Sequence, residues 1–332
     1  MNICLTGGAG YIGSHTATVL DKAGYSVTIF DNFSNSSKSV LGALKRLTNQ
    51  PINCIEGDIL DTQLIQNTLK DFKIDAVIHF AGLKAVGDSE KNPIKYYKNN
   101  VCGTLSILQA MKNVNLKKFI FSSSATVYGI PKYLPYDENH PLNPINPYGR
   151  TKFQIEQILQ DTANSDEDWR IIALRYFNPV GAHTSGLIAE NPCGIPNNLM
   201  PYIVKVARGD LPELKIFGND YPTPDGTGIR DYIHVMDLAE GHVASLEYLD
   251  KFKGFDVFNL GSGLGISVLE LVLAFEKMCG IKINYRYAAR RKGDLAAYYA
   301  NPARANKILN WNAKRTLYDI VKSSWEANKK FN

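Results

Sequence analysis

The chain has 332 residues, of which 45% are hydrophobic and 21% charged, so it can bury one or two cores and is too apolar to be disordered. Lys and Arg number 37 against 32 for Asp and Glu, giving a formal charge of +5 that is dispersed along the sequence. We therefore expect no nucleic-acid partner and no membrane anchor. The absence of a long apolar run and the wide spacing of the cysteines predict a cytoplasmic protein whose thiols are free, namely Cys4, Cys54, Cys102, Cys193 and Cys279.

The first half of the chain alternates short apolar runs with longer amphipathic segments. The apolar runs, which predict buried strands, are Asn2–Thr6, Ser26–Phe30, Ile52–Glu56, Ala76–Phe80, Phe119–Ser122 and Ile171–Arg175. The segments that predict crossover helices are Ile12–Lys22, Asp61–Lys70, Ile94–Met111 and Tyr148–Thr162. Buried strands that alternate with helices indicate an α/β fold with a doubly wound, parallel, Rossmann-type sheet.

After Asn178 the composition changes, because proline, glycine and asparagine become frequent. Helical patterns return at Asp237–Leu249, Ser267–Cys279 and Leu317–Asn328. We therefore expect a first domain of residues 1–177 and a smaller α/β domain of residues 178–332 that binds the substrate. The apolar run Phe255–Leu260 suggests that a segment near residues 232–260 returns to the first domain.

A glycine-rich turn, Gly7-x-x-Gly10-x-x-Gly13, joins the first predicted strand to the first predicted helix. Such a turn lets a pyrophosphate approach the backbone N–H groups at the start of the helix. Asp31 ends the second strand about 20 residues further on, where an acid binds ribose hydroxyls and repels a 2′-phosphate. These features predict a site for NAD rather than NADP. Asp58 ends the third strand and either reaches the adenine or caps its own turn.

Tyr148 and Lys152 are four residues apart on a predicted helix and therefore share one face. A nearby cation favours the phenolate form of a tyrosine, so the pair could act as a base; the plainer alternative is an exposed pair of side chains. Ser124 ends the strand just upstream, at the sheet edge where α/β proteins bind ligands. Ser124 lacks the G-x-S-x-G setting of a hydrolase nucleophile, so we expect it to bind a hydroxyl group.

Two other features have structural explanations. The segment Gly261-x-Gly263-x-Gly265 is not followed by an acid at the required distance, so it indicates a turn and not a second dinucleotide site. His79 lies inside a predicted strand and is expected to be a hydrogen-bonded core residue. The sequence has neither H-E-x-x-H nor a cysteine–histidine cluster, so we expect no metal.

The segment Thr6–Gly13 together with Tyr148-x-x-x-Lys152 resembles the extended short-chain dehydrogenase/reductase family. The likeness to the branch of this family that epimerises UDP-hexoses at C4 covers nearly the whole chain. The segments that carry it are His79–Val86, Phe121–Gly129, Arg175–Gly181, Gly194–Tyr202, Asp225–Val235 and Arg290–Asp294. The resemblance implies one tightly held NAD, transient oxidation at sugar C4, rotation of the 4-keto sugar and return of the hydride to its other face. It thus implies interconversion of UDP-galactose and UDP-glucose in galactose metabolism.

The same resemblance implies roles for individual residues. Tyr148 is the expected base, Lys152 lowers its pKa and holds the nicotinamide ribose, and Ser124 orients the C4 hydroxyl or relays its proton. The implied cofactor-binding residues are Gly7, Gly10, Tyr11, Ile12, Gly13, Asp31, Asn32, Asn35, Asp58, Ile59, Phe80, Ala81, Lys84, Asn99, Ser124, Tyr148, Lys152 and Phe177. The implied substrate-binding residues are Ser124, Tyr148, Asn178, Asn198, Leu199, Phe217, Arg230, Arg291, Asp294 and Tyr298.

Three of these assignments carry further expectations. A bulky Tyr298 implies a preference for UDP-glucose and UDP-galactose over their N-acetylated counterparts. Arg230 and Arg291 are suited to bind a diphosphate bidentately, although a solvated surface charge is the common fate of an arginine. The family also implies a homodimer through the segments Tyr96–Met111 and Phe153–Thr162, for which buried core helices are the alternative.

Two other functions compete with epimerisation. A nucleotide-sugar 4,6-dehydratase also oxidises C4, but it places an Asp-Glu pair where this chain has Ala125-Thr126. A non-catalytic NAD-binding regulator typically loses the Tyr/Lys pair, which this chain keeps.

Overall fold

The computed structural model describes residues 1–191, 196, 198–291 and 293–329. The strands are β1 (Asn2–Thr6), β2 (Ser26–Asp31), β3 (Asn53–Glu56), β4 (Ala76–His79), β5 (Lys118–Ser124), β6 (Arg170–Tyr176), β7 (Asn178–Val180), β8 (Leu214–Phe217), β9 (Ile229–His234), β10 (Gly254–Leu260), β11 (Gly265–Ser267), β12 (Tyr285–Ala288) and β13 (Ala297–Tyr298). The helices are α1 (Tyr11–Lys22), α2 (Ser39–Leu47), α3 (Thr62–Asp71), α4 (Val86–Lys91), α5 (Pro93–Tyr96), α6 (Gly103–Asn113), α7 (Pro147–Ser165), α8 (Leu199–Ala207), α9 (Val235–Leu249), α10 (Val268–Cys279), α11 (Ala303–Leu309) and α12 (Leu317–Lys329).

Seven strands form one parallel sheet in the order β3-β2-β1-β4-β5-β6-β10. This order confirms the doubly wound α/β fold that the sequence predicts. The direction of winding reverses between β1 and β4, and sheets of this kind bind ligands beside the carboxyl ends of the strands at that point. The glycine turn follows β1 at this edge of the sheet.

Helices cover both faces of the large sheet and explain why its strands read as continuous apolar runs. On one face, Leu20 of α1 and Leu246 of α9 belong to a core with Phe258 of β10. On the other face, Ile107 of α6 and Ile155 of α7 belong to a second core. The two cores bury side chains from alternate positions of each strand, so consecutive residues of a strand are apolar.

The chain after Asn178 forms two smaller sheets. Strands β11, β9 and β13 pair in that order, with β7 also on β9, while β8 pairs with β12. Helices α8, α10 and α12 pack around a third core that contains Met200, Leu271 and Ile320. Strand β10 pairs with β6 in parallel and so lies at the edge of the large sheet. The assignment of residues 178–332 to a separate substrate-binding domain stays a prediction.

The helix expected over Ile94–Met111 is interrupted, because a π-helical turn at Tyr97–Cys102 lies between α5 and α6. Within this turn the Asn100 side chain accepts a hydrogen bond from Leu83 N at 2.8 Å and donates one to Thr151 Oγ1 at 3.1 Å. The turn therefore directs a polar side chain into the crevice between two other segments. Such π turns often occur at functional sites.

Asp231 explains the second glycine-rich segment. Its carboxylate accepts hydrogen bonds from Ser262 N at 2.8 Å and Gly263 N at 3.0 Å. A Cβ added to Gly261 would lie 2.6 Å from Asp231 Oδ2, and Gly263 has a φ of +78°. Close approach and backbone conformation therefore require glycine here, which confirms the prediction of a turn.

The cysteines of the described residues, Cys4, Cys54, Cys102 and Cys279, are free thiols, as predicted; Cys193 lies outside those residues. None of the helices described combines the length and the apolar character that crossing a membrane requires.

Candidate active site

The glycine turn after β1 leaves the start of α1 uncovered by side chains. Gly7 has a φ of +70°, and a Cβ on it would lie 2.6 Å from Ala81 N. A Cβ on Gly13 would lie 2.6 Å from Gly7 O. Gly10 is the N-cap, and no side chain within the described part of the chain caps the helix there. The N–H groups at the positive end of α1 can therefore receive an anion such as a pyrophosphate.

Asp31 lies at the carboxyl end of β2, beside this turn. Its Oδ2 accepts a hydrogen bond from Ala9 N at 3.0 Å, and its Oδ1 accepts one from Phe33 N at 2.8 Å. Asn32 Nδ2 donates to Asp58 Oδ2 at 3.0 Å, while Asp58 Oδ1 accepts from Leu60 N at 2.9 Å. Asp58 thus stabilises its own turn and also contacts a side chain next to Asp31, so both sequence-based alternatives stay open. A carboxylate beside an uncapped helix start fits an adenosine ribose and its pyrophosphate.

Other residues implied in cofactor binding lie on the segments that follow β1, β2 and β3. Tyr11 OH donates to Gly181 O at 2.7 Å, and Ile12 is half-buried in the first turn of α1. Ile59 is buried against Gly103, where an added Cβ would lie 2.4 Å from its Cδ1. Asn35 is exposed in the bend that follows β2.

The loop after β4 brings a further group of these residues to the strand edge. Ala81 N donates to Thr6 O at 2.9 Å, and the Phe80 ring lies 4.9 Å from the His242 ring. Asn99 Nδ2 donates to Asn100 Oδ1 at 3.0 Å. Lys84 Nζ lies 3.5 Å from Glu190 Oε1.

Tyr148 and Lys152 occupy the first two turns of α7, which begins because Asn146 caps it and Pro147 is its first residue. Lys152 Nζ donates to Ser122 O at 2.6 Å and lies 6.0 Å from the centre of the Tyr148 ring. Lys152 is only 5% exposed, which excludes the alternative of an exposed surface pair. The strand that supplies Ser122 also ends in Ser124, so the three residues meet at the carboxyl edge of the large sheet.

The Ser124 hydroxyl is oriented by the turn that follows it. Its Oγ accepts hydrogen bonds from Thr126 N at 3.2 Å and from Thr126 Oγ1 at 3.0 Å. It also interacts with the Tyr148 side chain and lowers the pKa of that phenol. Because Thr126 occupies two acceptor positions of Ser124, the Ser124 proton is free to point toward Tyr148 or a ligand.

Burial dominates the pKa values of this pair. It raises the pKa of Tyr148 to about 12, against the lowering effect of Ser124. It lowers the pKa of Lys152 to about 7, against the raising effect of the Glu156 carboxylate. The lowering of the Tyr148 pKa that is expected from Lys152 stays a prediction; the net shift is upward, because desolvation of the phenolate outweighs the hydrogen bond with Ser124. A phenolate at neutral pH requires additional positive charge nearby.

Three residues implied in substrate binding lie together near Tyr148, and Phe177, which is implied in cofactor binding, lies beside them. Tyr298 OH donates to Asn178 Oδ1 at 2.8 Å, and the Arg230 guanidinium lies 4.7 Å from the centre of the Tyr298 ring. The Phe177 ring is 6.3 Å from the same ring. Strand β13 pairs with β9 so that Tyr298 is in register with Arg230. Arg230 is thus half-buried on an aromatic face rather than free in solvent.

The remaining substrate residues flank this group. Arg291 Nε donates to Asp294 Oδ2 at 2.8 Å, and its guanidinium lies 4.8 Å from the centre of the Phe217 ring. Burial raises the pKa of Tyr221, and the charges of Asp294, Arg230 and Arg291 also affect it. These three charged side chains therefore lie near the Tyr221 ring. The Tyr221 hydroxyl is buried and has no hydrogen-bond partner among the residues described. A polar ligand would satisfy it.

Asn198 and Leu199 begin α8, and Asn198 Nδ2 donates to Glu190 Oε1 at 2.5 Å. Glu190 therefore links Asn198 to Lys84. Of the segment Gly194–Tyr202 that carries the family resemblance, Gly194, Ile195 and Asn197 lie outside the described residues, as does Lys292 in Arg290–Asp294.

Several side chains at the site were not identified from the sequence. Glu156 could have been identified, because it follows Lys152 by four residues and therefore shares its face of the helix. The contacts of Thr126 with Ser124 were also accessible, because a threonine two residues after a strand end commonly forms a local turn. In contrast, Asn100 and Glu190 reach the crevice only through the π turn and the long-range packing, for which the sequence carries no local signal.

His79 is a core residue, as predicted. Its Nδ1 is 2.6 Å from Thr6 Oγ1 and its Nε2 is 3.0 Å from Thr104 Oγ1. Burial, helped by the Lys152 charge, lowers the pKa of His79 to about 3. Within residues 1–191, 196, 198–291 and 293–329, no cluster of three His, Cys, Asp or Glu side chains could hold a metal ion.

Comparisons with known proteins agree with this geometry. The model of the NAD dependent epimerase/dehydratase family matches residues 3–261. The chain is 53% identical to the UDP-glucose 4-epimerase of Bacillus subtilis (strain 168), over 98% of this chain and 96% of the relative. It is 51% identical to UDP-glucose 4-epimerase 2 of Arabidopsis thaliana, over 98% of this chain and 94% of the relative.

Solved structures are equally similar. The UDP-glucose-4-epimerase of Stenotrophomonas maltophila, solved with NAD and formylated UDP-arabinopyranose, is 45% identical with a TM-score of 0.98, covering 100% of this chain and 98% of that one. The UDP-glucose 4-epimerase of Bifidobacterium longum, solved with NAD⁺ and UDP, is 50% identical with a TM-score of 0.96. The match covers 99% of this chain and 98% of that one. Because the family model spans well over half of the chain and these relatives span nearly all of it, the chain belongs to the NAD dependent epimerase/dehydratase family.

Proposed function

We propose that the protein interconverts UDP-galactose and UDP-glucose by removing and returning a hydride at sugar C4, with NAD as its bound cofactor. The observation that carries this proposal is the meeting of Tyr148, Lys152 and Ser124 at the same strand edge as the glycine turn. That arrangement places a proton acceptor beside a site suited to a dinucleotide. The relatives that are more than 50% identical over nearly the whole chain are UDP-glucose 4-epimerases, which supports the same reaction.

The cofactor residues fit NAD, because the uncapped start of α1 suits a pyrophosphate and the Asp31 carboxylate suits ribose hydroxyls. NAD⁺ bound by these residues would supply the hydride acceptor and the positive charge that a Tyr148 phenolate requires. Tyr148 takes the proton of the C4 hydroxyl as the C–H bond breaks, and gives it back when the carbonyl is reduced. Lys152 holds the phenolate by its charge, and Ser124 orients the hydroxyl.

Inversion at C4 requires the nucleotide to be held while the sugar turns over. Arg230 and Arg291 each lie on an aromatic ring, which limits their motion and presents their N–H groups to a diphosphate. Asn198 and Leu199 bind from the start of α8, and Phe217 and Asp294 bind the rest of the nucleotide. The hexose contacts only a few side chains, among them Asn178 and Tyr298.

The structure argues against the dehydratase alternative. Elimination of water across C5–C6 needs an acid and a base after Ser124, and this position holds Ala125 and Thr126. The Thr126 hydroxyl is engaged with Ser124 Oγ at 3.0 Å. Burial of Lys152 lowers its pKa to about 7, so the protein buries an ionisable lysine beside a buried tyrosine. A non-catalytic NAD-binding protein would have no need of this pair.

We further propose that the protein is a cytoplasmic homodimer and prefers UDP-hexoses without an N-acetyl group. Ile94 of α5 is 82% exposed and Leu105 of α6 is 45% exposed, and a second copy would cover these apolar side chains. Sedimentation velocity of the Ile94→Lys/Leu105→Lys variant should show a monomer, and an unchanged mass would contradict this interface.

The preference for sugars without an N-acetyl group rests on Tyr298, whose ring fills the space beside Asn178.

The test of the reaction is incubation of the purified chain with UDP-galactose and no added cofactor, followed by proton NMR of the sugar. We expect UDP-glucose to accumulate without net NADH. A 4-keto-6-deoxy sugar would assign the protein to the dehydratases, and an unchanged substrate would contradict the proposal. Tyr148→Phe should retain NAD but lose most of its turnover, so a near-normal rate would show that another group accepts the proton.

A further inference from the structure

Three residues of α7, one helical turn apart, each engage one of three consecutive serines at the end of β5. Tyr148 interacts with the Ser124 hydroxyl, and Lys152 Nζ donates to Ser122 O at 2.6 Å. One turn further, Glu156 accepts a hydrogen bond from Ser123 Oγ at 2.5 Å. The face of α7 that carries the base and its lysine therefore continues to a carboxylate.

Glu156 is held rigidly in the interior of the protein. It is 4% exposed, and Arg175 of β6 binds it bidentately, with Nη2–Oε2 at 2.7 Å and Nε–Oε1 at 3.1 Å. Arg175 Nη1 also donates to Tyr128 OH at 3.0 Å, which in turn donates to Asn259 Oδ1 at 2.6 Å. A buried, bidentate pair fixes the position of the carboxylate.

Few charged groups other than this carboxylate lie near Lys152 and could affect its protonation. The titratable groups around it are Tyr148 and Glu156 on its own helix and His79 on β4, with Arg175 of β6 paired to Glu156. His79 is neutral near physiological pH, since burial lowers its pKa to about 3. The Phe121 ring, 4.7 Å from Lys152 Nζ, provides the apolar wall. Glu156 is thus the one carboxylate among these groups, and it acts on the charge of Lys152.

We propose that Glu156 is a positioning residue of the proposed reaction: anchored by Arg175 and Ser123, its carboxylate keeps Lys152 protonated and aligned with Tyr148. The inference deepens the proposed function and rests on it. Within the described part of the chain, the polar partners of the Glu156 carboxylate are Ser123 and Arg175 and not the residues assigned to the substrate, so Glu156 acts on the proton transfer and not on substrate binding. The Tyr-x-x-x-Lys pattern of this chain is therefore functionally a Tyr-x-x-x-Lys-x-x-x-Glu pattern.

The test is Glu156→Gln in the NAD-loaded chain, with two readouts. The first is the pKa of Lys152, measured by NMR of ¹³C-labelled lysine and assigned with Lys152→Met; we expect it to fall by about one unit or more, because an anion one helical turn away is removed. The second is the pH profile of kcat, whose alkaline side should move to lower pH by a similar amount, with an unchanged KM. A merely structural role would lower kcat equally at every pH.

Control variants separate the charge from the packing. Glu156→Asp keeps the charge and should retain the wild-type pH profile, and Glu167→Gln, an exposed change beyond the end of α7, should change nothing. Because Arg175 would be left unpaired by the single change, Glu156→Gln/Arg175→Met removes both charges and should show a smaller shift in the same direction. An unchanged Lys152 pKa in the single or the double variant would overturn the inference. A wild-type chain without epimerisation would instead overturn the proposed function.

Discussion

Replacing Lys152 with methionine removes the cation beside Tyr148 while keeping a side chain of similar length in the same apolar setting. Lys152 Nζ lies 6.0 Å from the centre of the Tyr148 ring. With an effective dielectric constant of about 20, two unit charges at that distance attract by about 3 kcal/mol, or about two pKa units. The Tyr148 phenolate should become harder to form by up to that amount. We therefore expect kcat at pH 7 to fall by up to about 100-fold.

The pH dependence of Lys152→Met separates this effect from damage to the fold. The acid side of the kcat profile should move to higher pH by about two units, so that part of the activity returns in alkaline buffer. The assay is NMR of UDP-galactose conversion from about pH 6 to about pH 10, a range that covers the expected shift of the acid side. Lys70→Met, an exposed change on α3, is the matched control. A loss of activity that is equal at every pH would refute the electrostatic role of Lys152.

Three further predictions follow from the structure. Burial lowers the pKa of His15 and His242 to about 4 and that of His79 and His234 to about 3. Below about pH 6.5 the unfolded chain therefore binds protons that the folded chain does not. The free energy of unfolding, measured with urea, should fall by several kcal/mol between about pH 6.5 and 4, and a value independent of pH would contradict these pKa shifts. Tyr298→Ser removes the ring beside Asn178 and should raise turnover of UDP-N-acetylglucosamine relative to UDP-glucose about tenfold in a coupled assay; an unchanged ratio would assign the selectivity to another residue. Asp31→Asn keeps the shape of the side chain but removes its charge, so the purified protein should contain less NAD by absorbance after denaturation, whereas full retention would show that Asp31 does not hold the ribose.

The sequence predicts those parts of the molecule that depend on local spacing. The apolar runs predict the strands of the large sheet, because burial on both faces leaves few polar positions. The spacing of Gly7 and Gly13 predicts the turn after β1, and the four-residue interval between Tyr148 and Lys152 predicts their common face. The position of Ser124 beside them follows from the rule that parallel strands end at one edge.

The sequence does not predict features that depend on long-range packing. Strands β7, β11 and β13 have two or three residues each, too few for a periodic pattern. The sign of the Tyr148 pKa shift depends on how completely the folded protein excludes water from the phenol, which no interval between residues reveals.

The central claim is that a hydride leaves sugar C4 and returns to the same carbon on its other face. Incubation of the purified chain with UDP-galactose that carries deuterium at C4, without added cofactor, tests it directly. NMR and mass spectrometry should find UDP-glucose that keeps the deuterium at C4. Replacement of the deuterium by solvent hydrogen, or a product with an unchanged C4 configuration, would contradict the account.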